Sequence, residues 1–173
     1  MKEKTDQIRI YDKDGFRQRA ACVCVRGDGS DTEILLVSST ASPERFIVPG
    51  GGLEPGEDAS TAAIREVMEE AGVRGTLGRC LGVFESHERG HRTHVFVLQV
   101  EEELSEWDES KSVGRTRKWF TVAGAIQELM VSRPVQCVYI QLLNATQGVT
   151  HDSTHIVPTA SSVSPSDVAA GAQ

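Results

Sequence analysis

The sequence predicts an α/β domain, a mixed β-sheet with helices packed on it. Three observations predict it: short apolar runs of strand length recur between residues 19 and 120, one strongly helical segment follows a glycine triplet, and two more helical segments close the apolar part.

Residues 1–16 form a polar amino-terminal arm. Arg19–Arg26 (RAACVCVR) and Glu33–Ser38 (EILLVS) have strand character, and the turn chemistry of Asp28–Asp31 predicts a hairpin between them. Cys22 and Cys24 sit two apart, share a strand face and read as core. Phe46–Val48 is a short strand running into Pro49 and the triplet Gly50, Gly51, Gly52. Asp58–Ala71 is the clearest helix, with an acidic first turn, as the helix dipole favours, and Gly72 where a C-terminal cap glycine belongs. Ala62, Ala63, Val67 and Ala71 give it a face to lay on the sheet.

Leu77–Glu85 and Thr93–Val100 predict two further strands joined by the polar loop 86–92. The acidic stretch Glu101–Glu109 (EEELSEWDE) reads as a solvated face or loop. Lys118–Phe120 is a last short strand, followed by helices over Val122–Val131 and Pro134–Asn144, the second with proline at its first position. From Ala145 the chain has no Lys, Arg or aromatic residue, too little apolar surface to offset its ordering entropy. The expected organisation is therefore an arm (1–16), a domain (17–144) and a disordered tail (145–173).

A chain of 173 residues with 39% hydrophobic and 25% charged residues suits one globular domain with a core built without disulfides. A net charge of −7 sets the surface as a whole against DNA, RNA and anionic membranes, so basic contacts to any polyanionic substrate must be gathered locally. Four cysteines without a C-x-x-C pair predict a reduced protein. The charged amino end lacks a signal peptide's apolar region, and no stretch reaches membrane-spanning length. The expectation is a cytoplasmic monomer, with the nucleus left open to it, and no membrane or stable nucleic-acid partner.

The chemistry is carried by Gly51–Val73, GGLEPGEDASTAAIREVMEEAGV. Glu66, Glu69 and Glu70 fall at i, i+3 and i+4, so one helix face presents three carboxylates. Such a face repels itself unless divalent cations neutralise it, and carboxylate oxygens are hard donors suited to Mg²⁺, with Mn²⁺ as a substitute. Metal held there could polarise a phosphoryl group, while a remaining carboxylate takes a proton from water. A glycine carbonyl upstream could complete the shell, and Arg65 and Glu57 could pair with each other or with neighbouring carboxylates to brace the constellation. Alone, a Glu-rich helix is a solvated surface and a glycine triplet a loop. Their joint spacing, Gly51, Glu57, Arg65, Glu66, Glu69, Glu70 and Gly72, would coincide by chance on the order of once per million such chains.

That spacing resembles the Nudix box without a departure. The resemblance implies the Nudix fold, a mixed β-sheet sandwiched between α-helices, and hydrolysis of a diphosphate linkage. It also implies metal ligation by Glu66, Glu70 and the Gly50 carbonyl, with Glu69 as general base, a role that family members assign to different glutamates. Beyond the box, Arg9–Gly15 (RIYDKDG), Arg19–Cys24 (RAACVC), Ile47–Glu54 (IVPGGGLE), Thr76–Cys80 (TLGRC), His91–Thr93 (HRT) and Gly114–Phe120 (GRTRKWF) resemble the diphosphoinositol polyphosphate phosphohydrolases. That likeness covers about residues 8–143 and implies removal of the β-phosphate from inositol pyrophosphates, with side activity on diadenosine polyphosphates.

Such a substrate needs several arginines. The candidates are Arg9, Arg17, Arg19, Arg89, Arg115 and Arg133, with Gln18, Ser39 and His91 as further contacts. Gln18, Ala41 and Gly90 stand where the subfamily usually has a basic residue, which bears on substrate rank order and leaves catalysis untouched. Two alternatives remain. One is a nucleotide pyrophosphohydrolase acting on dinucleotide polyphosphates or 5′-capped RNA, which would want an aromatic platform for the base; Phe84 and Trp119 read as core instead. The other is a non-catalytic binding module, which would have lost the box carboxylates.

Overall fold

The computed structural model describes residues 8–145. The expected tail falls outside these residues except for Ala145, as does the start of the arm, residues 1–7.

The chain runs through β1 (Arg17–Arg26), β2 (Glu33–Ser38), β3 (Phe46–Ile47), β4 (Gly50–Gly52), α1 (Ala59–Ala71), β5 (Val73–Ser86), β6 (His91–Glu103), α2 (Asp108–Ser112), β7 (Arg117–Thr121), α3 (Val122–Ser132) and α4 (Cys137–Ala145). The sheet order is β3-β2-β1-β6-β5, with β4 paired to β1 and β7 to β2. It is a mixed sheet: β1 and β6 run parallel from Arg17 opposite His91 to Val25 opposite Gln99, and the other pairings are antiparallel.

Alternation along the central strands divides the core into two layers. Ala21, Val23, Val25, Ile34 and Leu36 point to the face covered by Leu129 of α3 and Ile140 and Leu143 of α4. Ala20, Cys22, Cys24, Leu35 and Val37 point to the face covered by Ala62, Ala63, Val67 and Ala71 of α1. The expected sandwich and the core placement of Cys22 and Cys24 are both present. Among the described residues, no helix is long and apolar enough to cross a membrane.

Several boundaries differ from expectation. Asp58 is the N-cap of α1 rather than part of its first turn; its Oδ1 accepts the Thr61 N–H at 2.7 Å. Gly72 closes the helix in the left-handed region, φ 62°. Strands β5 and β6 extend beyond their apolar cores, because pairing continues into exposed ends where Arg74 meets Glu102 at 3.3 Å. The acidic stretch is divided: Glu101–Glu103 finish β6, and Asp108 and Glu109 open α2. Pro134–Gln136 forms a 3₁₀ turn, and α4 begins after it. The glycine triplet is itself a strand, β4, hydrogen-bonded to the beginning of β1.

Candidate active site

β4 brings the glycines edge-on to α1, and this close approach explains why they carry no side chain. A Cβ on Gly51 would collide with the Glu66 carboxylate, and one on Gly52 would stand 2.5 Å from Arg17 Nη2. Glu66 and Glu70 are buried at 1% and 5% exposure, while the Glu69 side chain is 31% exposed. The face therefore has a buried floor with one carboxylate at its mouth.

Arg65 braces that face. It grips Glu57 with two contacts of 2.8 Å, donates to the Gly52 carbonyl at 2.9 Å, and sends Nη1 to Glu66 at 2.9 Å and Glu69 at 3.5 Å. Glu57 also accepts the Glu54 N–H at 2.8 Å. The Glu57 hydrogen bonds hold the Arg65 guanidinium well above its ordinary pKa, and Arg65 in turn holds the Glu57 carboxyl below the usual range. Glu70 accepts the Gly50 N–H at 3.0 Å, and Arg115 reaches its other oxygen at 3.3 Å.

Among the described residues, no three His, Cys, Asp or Glu side chains stand in a ready-made metal cage. The box carboxylates are held instead by guanidinium groups and a backbone donor. The donor set nonetheless fits a Mg²⁺-type ion: carboxylate oxygens and the Gly50 carbonyl are hard ligands, gathered around a cradle that a Cβ on Gly51 would fill.

A cluster of cations adjoins this corner. Arg19 donates to the Gly50 carbonyl at 3.2 Å, so it touches the triplet directly. Burial pulls its pKa down, as does the charge of Arg17, while Glu70 and Glu66 oppose that pull. Arg17 is likewise lowered by burial and then by Arg9, and its buried Nε meets no acceptor among the described residues. His91, opposite Arg17 in the β1–β6 pairing, is depressed to about 4 by burial and by Arg19, Arg17, Arg89 and Arg9. Arg133, at the end of α3, is lowered by burial and by Arg89. These groups repel one another, and Arg17, Arg19, His91 and Arg133 are partly withdrawn from water, the condition that a polyanion would relieve.

The pattern that defines the NUDIX domain matches residues 16–138. The chain belongs to the Nudix family. Its relatives include diphosphoinositol polyphosphate phosphohydrolase 2 of Homo sapiens, 52% identical over 83% of this chain and 79% of that protein. Diphosphoinositol polyphosphate phosphohydrolase 3-alpha of Mus musculus is 54% identical over 83% of this chain and 87% of that protein. A solved structure of a C. elegans Ap4A hydrolase binary complex shares the Nudix architecture at 22% identity, with a TM-score of 0.54 over 75% of this chain and 96% of that one. The E. coli ORF135 protein does so at 20% identity, with a TM-score of 0.55 over 79% and 94%.

Against this Nudix frame, most of the expected residues converge: Glu57, Arg65, Glu66, Glu69, Glu70 and Gly50 around the box, and Arg9, Arg17, Arg19, Arg89, His91 and Arg133 around the cations. Ser39 is buried and lines a cavity of about 300 Å³ with Arg45 and Arg133. Two expected contacts are placed differently. Gln18 turns its amide onto Asp12 at 3.2 Å. Arg115 is buried with its guanidinium committed to Glu109, Glu70 and the Ser38 carbonyl. It sits as a brace inside the fold rather than an open cation, because α2 supplies a carboxylate beside it.

Three residues around the site were not singled out by sequence. Trp107 donates Nε1 to the Glu70 carbonyl at 2.7 Å, Glu109 holds Arg115, and Asp12 anchors the arm to Arg92. Trp107 and Glu109 lie in the stretch read as solvated, and the one available signal was an aromatic residue within that acidic run.

Proposed function

We propose that this chain is a Mg²⁺-dependent hydrolase that removes the β-phosphate from diphosphoinositol polyphosphates, with side activity on diadenosine polyphosphates. One observation carries the reading: Arg19 links the two halves of the site, touching the Gly50 carbonyl while sharing a charge cluster with Arg17 and His91. A dense small polyanion would thus lie with one phosphate over the carboxylates. The names of relatives that are more than half identical support the same substrate class.

In this reading Arg9, Arg17, Arg19, Arg89 and Arg133 bind ring phosphates, and His91 and Ser39 donate hydrogen bonds. Glu66, Glu70 and the Gly50 carbonyl would hold Mg²⁺, which when bound supplies Lewis acidity and neutralises charge on the diphosphate. Glu69, at the mouth, takes a proton from the attacking water as Arg65 keeps it oriented. The water oxygen bonds to the β-phosphorus, the bridging P–O bond breaks, and orthophosphate leaves the inositol phosphate. Small polyphosphates are the partners of a cytoplasmic monomer, and the net charge of −7 disfavours nucleic acid and anionic membranes.

Purified protein with Mg²⁺ and a diphosphoinositol pentakisphosphate should release orthophosphate, and Glu69→Gln should abolish turnover while the fold is retained. Brisk cleavage of a diadenosine polyphosphate or capped RNA without that release would instead favour a nucleotide pyrophosphohydrolase.

A further inference from the structure

A buried row of three charges runs from α2 to the box helix, and the proposed reaction uses only its near end. Arg115 sends Nε and Nη2 to Glu109 Oε2 at 2.8 and 2.6 Å, and reaches Glu70 Oε1 from Nη2 at 3.3 Å. All three residues are less than a tenth exposed. Nη1 is fixed on the Ser38 carbonyl at 2.6 Å. The helix carrying Glu109 is locked against the end of α1, since Trp107 donates to the Glu70 carbonyl and packs its ring on Gly72.

A guanidinium flanked by two carboxylates is shared between them, and the shorter contacts give Glu109 the larger share. With Glu109 ionised, the three groups carry a net single negative charge. Without it, Arg115 could turn two donors onto Glu70 and neutralise that carboxylate. We infer that Glu109 is a positioning residue that draws Arg115 off Glu70, leaving more of the Glu70 charge to a divalent cation and so setting the cation affinity of the box. The inference rests on the reading of Glu70 as a metal ligand.

The test titrates the full chain with Mn²⁺ and follows the free ion by electron paramagnetic resonance, without substrate. Glu109→Gln should weaken Mn²⁺ binding about tenfold, the lower end of what losing an outer-shell partner does. Glu109→Asp, which keeps the charge, should retain most of the affinity. The double variant Glu109→Gln/Arg115→Gln should bind Mn²⁺ as the unaltered chain does, because the guanidinium that would turn onto Glu70 is gone. A merely structural role for Glu109 gives the opposite order, with the double variant worse than the single. Should Glu109→Gln not fold, Arg115→Gln alone carries the test and should bind Mn²⁺ more tightly than the unaltered chain. Unchanged affinity in Glu109→Gln, no recovery in the double variant, or weaker binding in Arg115→Gln would overturn the inference. Orthophosphate release is assayed separately, so failure of the substrate reading is distinguishable from failure here.

Discussion

Arg17 and His91 stand opposite each other where the parallel pairing of β1 and β6 begins, and partial burial among other cations lowers the pKa of both. For His91 the folded value is about 4 against an ordinary 6.5. The unfolded chain thus binds more protons between those values, and stability rises with pH across that window. His91→Gln cannot take up the proton. Its melting temperature should therefore fall less than that of the unaltered chain between pH 7 and pH 5. A bound polyanion reverses the sign by favouring the imidazolium, so binding near pH 6 should be accompanied by proton uptake. Calorimetry in buffers of different ionisation enthalpy checks this, and identical uptake in His91→Gln would count against it.

Arg65 supports several box groups at once, so its replacement should affect activity and stability together. Arg65→Lys keeps the charge but loses the two-pronged grip on Glu57 and the bond to the Gly52 carbonyl. Turnover should fall by on the order of 10–100-fold, as for loss of an outer-shell partner. Glu57→Gln should cost about 1–2 kcal/mol in denaturant unfolding at neutral pH. The Glu57 pKa is held below its ordinary 4.5, so its contribution is full above that value and disappears as pH falls through the lower folded one. The stability gap between Glu57→Gln and the unaltered chain should therefore close in acid.

How far the sequence revealed this arrangement depended on the kind of signal. The box helix, its Gly72 cap and the alternating core of β1 and β2 follow from local periodicity, and each was legible. The pairing of Arg65 with Glu57 was one option among the carboxylates near it, because Glu57 lies before the helix and spacing does not fix its partner. The strand character of Gly50–Gly52 could not, because glycine has no strand propensity and β4 exists only by pairing with β1. The burial of Arg115 was not legible, because it depends on Glu109 and Glu70, which come from separate helices. Nothing local in a chain of charges distinguishes the one that folds inward.

The bare Cα of Gly51 makes another consequence measurable. Gly51→Ala places a methyl group in the Glu66 carboxylate, which is 1% exposed and hydrogen-bonded to Arg65. Overpacking of this kind costs about 1–3 kcal/mol. Mn²⁺ affinity and turnover should fall together by at least about tenfold. Gly78→Ala, where a Cβ would stand no closer than 3.3 Å to a neighbour, serves as the control and should leave both near the starting value. Equal behaviour of the two variants would remove the cradle from the account.

The arm gives a prediction that separates binding from chemistry. Asp12 Oδ1 accepts the Asp14 and Phe16 N–H groups at 2.9 and 3.0 Å, while Oδ2 takes the Gln18 amide and the Arg92 guanidinium. Arg92 also lies 4.7 Å over the Phe16 ring and pairs with Glu85 at 2.7 Å. This clasp fixes the turn before β1, and the Gln18 N–H on the Ile10 carbonyl at 2.7 Å ties down the residue beside Arg9. Asp12→Asn keeps the size but loses the charge facing Arg92, so the arm should loosen and Arg9 should leave the cation cluster. KM for an inositol pyrophosphate should rise severalfold while kcat holds, and the salt dependence of KM should flatten because one fewer cation engages the substrate. Arg9→Gln should give the same pair of changes, and combining the two should add little, since both remove one contact. A drop in kcat without a change in KM would place Asp12 in the support of the box instead.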